Sequence, residues 1–250
     1  MDAVGPVITD GNTVVQSSAL VNADNFRENA LTVNGTVTIN PDASPAGTSK
    51  LVALTINSGG QVDLSNTHLI VTTGSVGTWT GSDYTGIAGL IKSGRNNANW
   101  NGSGLVTSQS LASSAQHLTT LAVAQASDVN KTTFGGQAVS PTDVLVMYTY
   151  TGDANLDGKI NADDYFQIDS HYNKLDNASK SWFNGDFNYD GQISGDDYFL
   201  IDNAFAAHGT PFGSAPSLAG VSSVPEPAGI VGLLGTSVIV SRRRRTRPAR

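Results

Sequence analysis

The sequence contains no cysteine, which excludes a disulfide framework, a zinc–thiolate centre and a thiol nucleophile. Charge is scarce as well: Asp, Glu, Lys and Arg make up 14% of the 250 residues, while Gly, Ser, Thr and Asn abound. That balance suits a β-rich exported protein better than a helical intracellular enzyme. Basic residues are scarcest in the body of the chain. Six of the fourteen are Arg242, Arg243, Arg244, Arg245, Arg247 and Arg250, which leaves eight against 21 acids. No nucleic-acid partner is expected for the body, because phosphate binding needs clustered positive charge. Catalytic patterns are missing too: there is no G-x-S-x-G and no H-E-x-x-H. His68, His117, His171 and His208 are scattered, and Asp63, Asp83, Asp128 and Asp143 read as turn residues rather than a glycosidase pair. The chain is therefore expected not to be an enzyme and to hold no catalytic residue. The opening MDAVGPVITDGN lacks the basic start and apolar run of a signal peptide.

What the sequence does contain is one stretch written twice. GDANLDGKINADDYFQIDSHY (Gly152 to Tyr172) returns as GDFNYDGQISGDDYFLIDNAF (Gly185 to Phe205), offset by 33 residues, with twelve of 21 positions identical. Eleven of the 21 acids lie between Asp153 and Asp202. Polar residues held in register are hard to explain by packing and easy to explain by a bound cation. Counted from Asp153, the first loop places Asp153, Asn155 and Asp157 at positions one, three and five, Gly158 at six, Lys159 at seven, Asn161 at nine and Asp164 at twelve. The second places Asp186, Asn188, Asp190, Gly191, Gln192, Ser194 and Asp197 at the same positions. This is the grammar of an EF-hand-like calcium loop. Side-chain oxygens at one, three and five converge, glycine at six allows the sharp turn, and position seven gives its carbonyl. Position nine acts through water, and the carboxylate at twelve closes the sphere. An all-oxygen donor set favours calcium over zinc, and its size favours calcium over magnesium. Two calcium ions are expected. Carboxylates about 4 Å apart repel by roughly 4 kcal/mol at an effective dielectric near 20, so ordering of the loops should be coupled to the metal. A calcium level about a thousandfold above the dissociation constant adds about 4 kcal/mol per site.

Each loop is followed by an apolar helical face: Tyr165, Ile168 and Tyr172, then Tyr198, Ile201 and Phe205. The two faces are expected to pack about a pseudo-twofold axis, with Ile160 and Ile193 beneath and Trp182 buried between the units. The duplicated GD-x-N-x-DG-x-I-x-x-x-D unit closely resembles a type I dockerin over about Gly152 to Ala207. That resemblance implies two calcium ions, held by the positions just named, and a cohesin-like protein domain as partner. Dockerins commonly have Ser-Thr at positions ten and eleven; here Ala162-Asp163 and Gly195-Asp196 add acids.

Upstream, ALTVNGTVTIN (Ala30 to Asn40) is echoed by ALTINSGGQVDLS (Ala53 to Ser65), with apolar residues at alternate positions. The Asn34-Gly35 and Gly59-Gly60 pairs are expected to supply positive φ at turns. Two readings stay open: rungs of a parallel β-solenoid, resembling autotransporter-like surface proteins, or two hairpins. Residues 74–150 read as a β-rich continuation, with a short helix from Ile87 to Ser93 ended by Gly94. Trp79 and Trp100 either plug the end of the sheet stack or stack on sugars.

At the C-terminus, Ser214 to Val224 reads as a linker, followed by Pro225-Glu226-Pro227, an apolar run from Ala228 to Val240, and arginines. Thirteen helical residues reach only about 20 Å, against a hydrocarbon core of about 30 Å. The order resembles a PEP-CTERM sorting signal. That resemblance implies an exosortase-type protease, at least transient membrane insertion of 228–240, and delivery to the cell surface or extracellular matrix. A permanent anchor and a basic nucleic-acid-binding tail are the alternatives.

The expected fold class is thus mixed: a β-solenoid-like region (1–73), its β-rich continuation (74–150), a small α-helical dockerin-like domain with two EF-hand-like loops (151–212), a linker (213–223), and one apolar tail helix within 224–250. The expected function is that of an exported, non-enzymatic bacterial surface or matrix protein, read here as the C-terminal portion of a longer one. The alternative is the targeting end of a secreted polysaccharide-degrading enzyme whose catalytic domain lies upstream.

Overall fold

The computed structural model describes residues 11–209 and 212. Its first seven strands are β1 (Asn12–Val15), β2 (Leu20–Ala23), β3 (Arg27–Val33), β4 (Thr36–Ile39), β5 (Ser49–Ile56), β6 (Gln61–Asp63) and β7 (His68–Val71). They alternate between two sheets. Helix α1 (Gly86–Arg95), β8 (Gly104–Val106) and β9 (Thr119–Gln125) follow, then the small hairpin β10 (Thr133–Phe134) and β11 (Gln137–Ala138), and β12 (Val144–Tyr150). Two helices complete the described part, α2 (Ala162–His171) and α3 (Gly195–Ala207).

The sheet orders are β1-β3-β5-β7-β12-β9 and β2-β4-β6-β8. The second sheet is parallel throughout. The first is parallel as far as β7, where β12 joins antiparallel and β9 extends it antiparallel again. Period-two alternation sends Leu31, Val33, Val37, Ile39, Leu51, Val62, Leu64 and Leu69 into the core. By contrast β12, VLVMYTY, is buried along its whole length, as a strand covered on both faces must be.

The expected fold class is corrected by this topology. The chain is a mixed α/β structure, not a β-solenoid followed by a separate helical domain. The repeat at Ala30 and Ala53 does mark paired strands, with Leu31 opposite Leu54, but that ladder is one part of a mixed sheet closed by antiparallel β12 and β9. The hairpin reading fails as well, since β3 and β4 lie in different sheets. The described residues belong to one compact unit. Among them no helix is long and apolar enough to cross a membrane. The expected tail helix, the Pro-Glu-Pro segment and the arginines lie outside the described residues.

Turn chemistry also differs from expectation. Gly59 has φ +84, but a side chain on Gly35 is forbidden by crowding: a Cβ there would sit 2.4 Å from the carbonyl oxygens of Gln16 and Ala19. Stacked turns leave that space only for hydrogen. Gly94 does not end α1 but lies within it, against the Leu105 carbonyl, and the helix stops at left-handed Asn96. Trp100 is buried, its indole N–H donating to the Ala112 carbonyl at 3.2 Å. The isolated acids shape local structure: Asp63 accepts from the Ser65 and Ser108 amides, Asp143 from Ser140, and Asp83 pairs with Lys92 at 2.8 Å.

Candidate metal centre

Strand β12 runs straight into the first loop. Asp153 Oδ1 accepts the Asp157 amide at 3.0 Å, and Asp153 Oδ2 accepts the Gly158 amide at 2.9 Å. Asn155 Oδ1 accepts the same Asp157 amide at 2.9 Å, and Asp157 Oδ1 accepts Lys159 N–H at 2.9 Å. Asp164 Oδ1 takes the Ala154 and Asn155 amides, and its Oδ2 takes that of Asn161. The second loop repeats this bond for bond. Asp186 accepts from Asp190 and Gly191, Asn188 from Asp190, and Asp190 from Gln192; Asp197 accepts from Phe187, Asn188 and Ser194. Equivalent turns need equivalent backbone: Gly158 and Gly191 have φ +82 and +81, and Leu156 and Tyr189 have +56 and +61. The left-handed position four is costly for a side chain, so its double occurrence shows both loops held in one shape.

Position nine does more than expected. Asn161 and Ser194 are the N-caps of α2 and α3, and Asp164 and Asp197 complete the two capping boxes. One acid therefore starts a helix and faces its loop. The signal was available as N-x-x-D and S-x-x-D.

Electrostatics single out four acids, two in each loop. Asp153, Asp164, Asp186 and Asp197 are fully buried. Burial pushes Asp153 up to about 7 and Asp164 to about 6, with neighbouring acids adding to the rise and loop hydrogen bonds opposing it. Burial likewise lifts Asp186 to about 6 and Asp197 to about 8, where Asp186 contributes next. Among the described residues the one ion pair is Lys92–Asp83, so none of these carboxylates is held in a salt bridge. Arg95 lies near the second loop; burial lowers its pKa, and Tyr189 and the loop acids Asp186, Asp197 and Asp190 oppose that.

The helices cross with twofold regularity. The Tyr165 hydroxyl donates to Asp202 at 2.6 Å and that of Tyr198 donates to Asp169, the two tyrosines and the two aspartates each occupying equivalent positions of the repeat. Gly152 abuts Ile201 and Gly185 abuts Ile168; a Cβ would meet either isoleucine at under 3 Å. Ile160, Ile168, Ile193 and Ile201 are buried. Trp182 is buried too, donating its indole N–H to the Asp153 carbonyl at 2.9 Å and stacking on Tyr189 at 5.5 Å.

Further contacts come from far away in sequence and were not foreseen. The Tyr84 hydroxyl donates to Asp186 Oδ2, that of Thr149 to Asp153 Oδ2 at 2.5 Å, and that of Tyr189 to the Leu121 carbonyl at 2.8 Å. The Trp79 ring covers Gly191, and the Lys92 ammonium lies over that ring at 4.9 Å. No local pattern announces Tyr84 or Trp79, because their partners lie about a hundred residues downstream.

The structure brings the twelve expected ligand residues into two local loops of six. Among the described residues, no three acidic or histidine side chains are grouped closely enough to hold an ion by themselves. The acids are instead turned onto loop amides, and the donor set expected from the sequence also includes the side chains of Asn155, Asn161, Asn188 and Ser194 and the carbonyls of Lys159 and Gln192. No curated protein and no solved structure matches the chain. Residues 151–206 match the family model of the dockerin type I domain, so this segment is similar to a family of protein-interaction modules.

Proposed function

We propose that residues 151–206 hold two calcium ions and, so ordered, offer the outer faces of α2 and α3 to a cohesin-like protein domain, within an exported, non-enzymatic cell-surface or matrix protein. The observation that carries this is the pair of matching hydrogen-bond patterns, each built round two buried carboxylates that form no salt bridge. Four buried carboxylates outside any salt bridge are costly to ionise in low dielectric unless a cation neutralises them. Asp153, Asn155, Asp157, Asn161, Asp164 and the Lys159 carbonyl would hold one ion. Asp186, Asn188, Asp190, Ser194, Asp197 and the Gln192 carbonyl would hold the other. Bound calcium supplies the missing positive charge. The chain fixes where each oxygen points and ties that geometry to the first turn of a helix.

The docking face follows from the same repeat. Phe166 and Phe199 occupy equivalent positions and are 66% and 61% exposed. Asp163 and Asp196 lie exposed in the first turns of the same helices. A partner groove that is apolar at its centre and basic at its rim fits this surface. The C-terminal tail, on the same proposal, is a sorting segment removed by an exosortase-type protease after brief membrane insertion; mass spectrometry of the mature protein should then lack Arg250.

Calorimetric titration of the full chain with calcium tests the metal reading. Two binding events are expected, and absence of any heat of binding above chelator controls would refute it.

A further inference from the structure

Each loop's first acid is gripped by a hydroxyl that lies outside the repeat. Asp153 Oδ2 accepts two hydrogen bonds, from the Gly158 amide at 2.9 Å and from Thr149 Oγ1 at 2.5 Å. Asp186 Oδ2 likewise accepts two, from the Gly191 amide at 2.8 Å and from the Tyr84 hydroxyl. In both acids Oδ1 accepts one loop amide, at 3.0 and 3.1 Å. The two hydroxyls come from unrelated elements. Thr149 is fully buried in β12, between β7 and β9. Tyr84 precedes α1 and is fixed by the Trp79 ring at 5.0 Å and by Tyr189, edge-on, at 6.1 Å. Neither position belongs to the 33-residue repeat, yet both deliver the same bond to the same oxygen.

We propose that Thr149 and Tyr84 are positioning residues for the two metal loops, so that the β part of the chain completes both calcium sites. This rests on the calcium reading above. A carboxylate free to rotate must be ordered as the ion binds. Here Oδ2 is saturated by two donors, so the side chain is held in one rotamer with Oδ1 left open on its second lone pair. Removing a hydrogen bond that orients a metal ligand typically weakens the site ten- to a hundredfold. It also follows that loop one answers to Thr149 alone and loop two to Tyr84 alone.

The test is calcium titration of the full chain and of three variants, Thr149→Val, Thr149→Ser and Tyr84→Phe, with far-UV circular dichroism on each. The wild type is expected to bind twice. Thr149→Val should weaken one event about tenfold or more, Tyr84→Phe the other, and Thr149→Ser should restore the first because it keeps the hydroxyl. A role confined to packing would not separate Val from Ser in that way. Wild type without binding overturns the calcium reading itself. Wild type with two events, and variants of unchanged affinity, overturns the positioning role alone. If Tyr84→Phe loses its fold, the Val and Ser pair at position 149 decides the matter.

Discussion

Acidification should stabilise this protein when calcium is removed and weaken it when calcium is present. The four buried acids have folded-state pKa values raised from 3.8 to about 6, 7, 6 and 8 for Asp164, Asp153, Asp186 and Asp197. The folded chain therefore binds more protons than the unfolded chain between those limits. A raised carboxyl contributes stability that is fully present below about pH 4 and lost as pH climbs through the folded value. From pH 8 down to 6.5, Asp197 and Asp153 supply most of the change, on the order of 2 kcal/mol together. For a chain of this size that amounts to roughly 4–8 °C in melting temperature. His68, held down to about 4 by burial, acts in the opposite sense only below about 6.5, which is why the window stops there. Thermal unfolding followed by circular dichroism, in excess chelator and in millimolar calcium, reads both slopes. With calcium the slope should reverse, because protons compete for the ligand oxygens. Parallel slopes in the two series, or a chelated protein that loses stability on acidification from pH 8 to 6.5, would refute the reasoning.

Four further outcomes are expected. Asp157→Ala and Asp190→Ala should each remove one calcium event and spare the other in calorimetric titration, since neither residue bonds across to the other loop. Gly191→Ala should cost more than about 2 kcal/mol in denaturant unfolding, because its Cβ would lie 2.1 Å from the Trp79 ring at a φ of +81. Gly195→Ala, in open space at the start of α3 where the first repeat already has Ala162, should instead be neutral or stabilise by up to about 1 kcal/mol. Ile168→Ala and Ile201→Ala, fully buried at matching positions, should each cost about 2–5 kcal/mol, and by similar amounts if the two halves are equivalent in strain as well as in shape.

Local rules were legible in the sequence and long-range ones were not. The loops could be read because glycine at six, amides at three and acids at one and twelve all act within a dozen residues. Trp182 was readable as buried because a lone tryptophan between two polar loops has few other places to go. The alternation at Leu31 and Val33 gave strands but not their sheets: nothing local says that β4 leaves its neighbour, or that β12 pairs antiparallel to β7. Gly35 illustrates the difference in kind. Its place in an Asn-Gly pair suggests a positive φ, whereas its constraint is two carbonyls from another turn. Tyr84 lay beyond reach for the same reason, since its hydroxyl matters only once Asp186 is folded beside it.

The direct passage of β12 into the first loop has a mechanical consequence. No slack chain separates Tyr150 from Asp153; the Asp153 amide donates back to the Tyr150 carbonyl at 3.1 Å. Tension from any protein gripping residues 151–206 therefore enters the sheet along the axis of β12. That strand is laced to β7 on one edge and β9 on the other by bonds perpendicular to the pull. Such a load shears all of those bonds together instead of unzipping them one after another. The handle is thus rooted in a strand bonded on both edges.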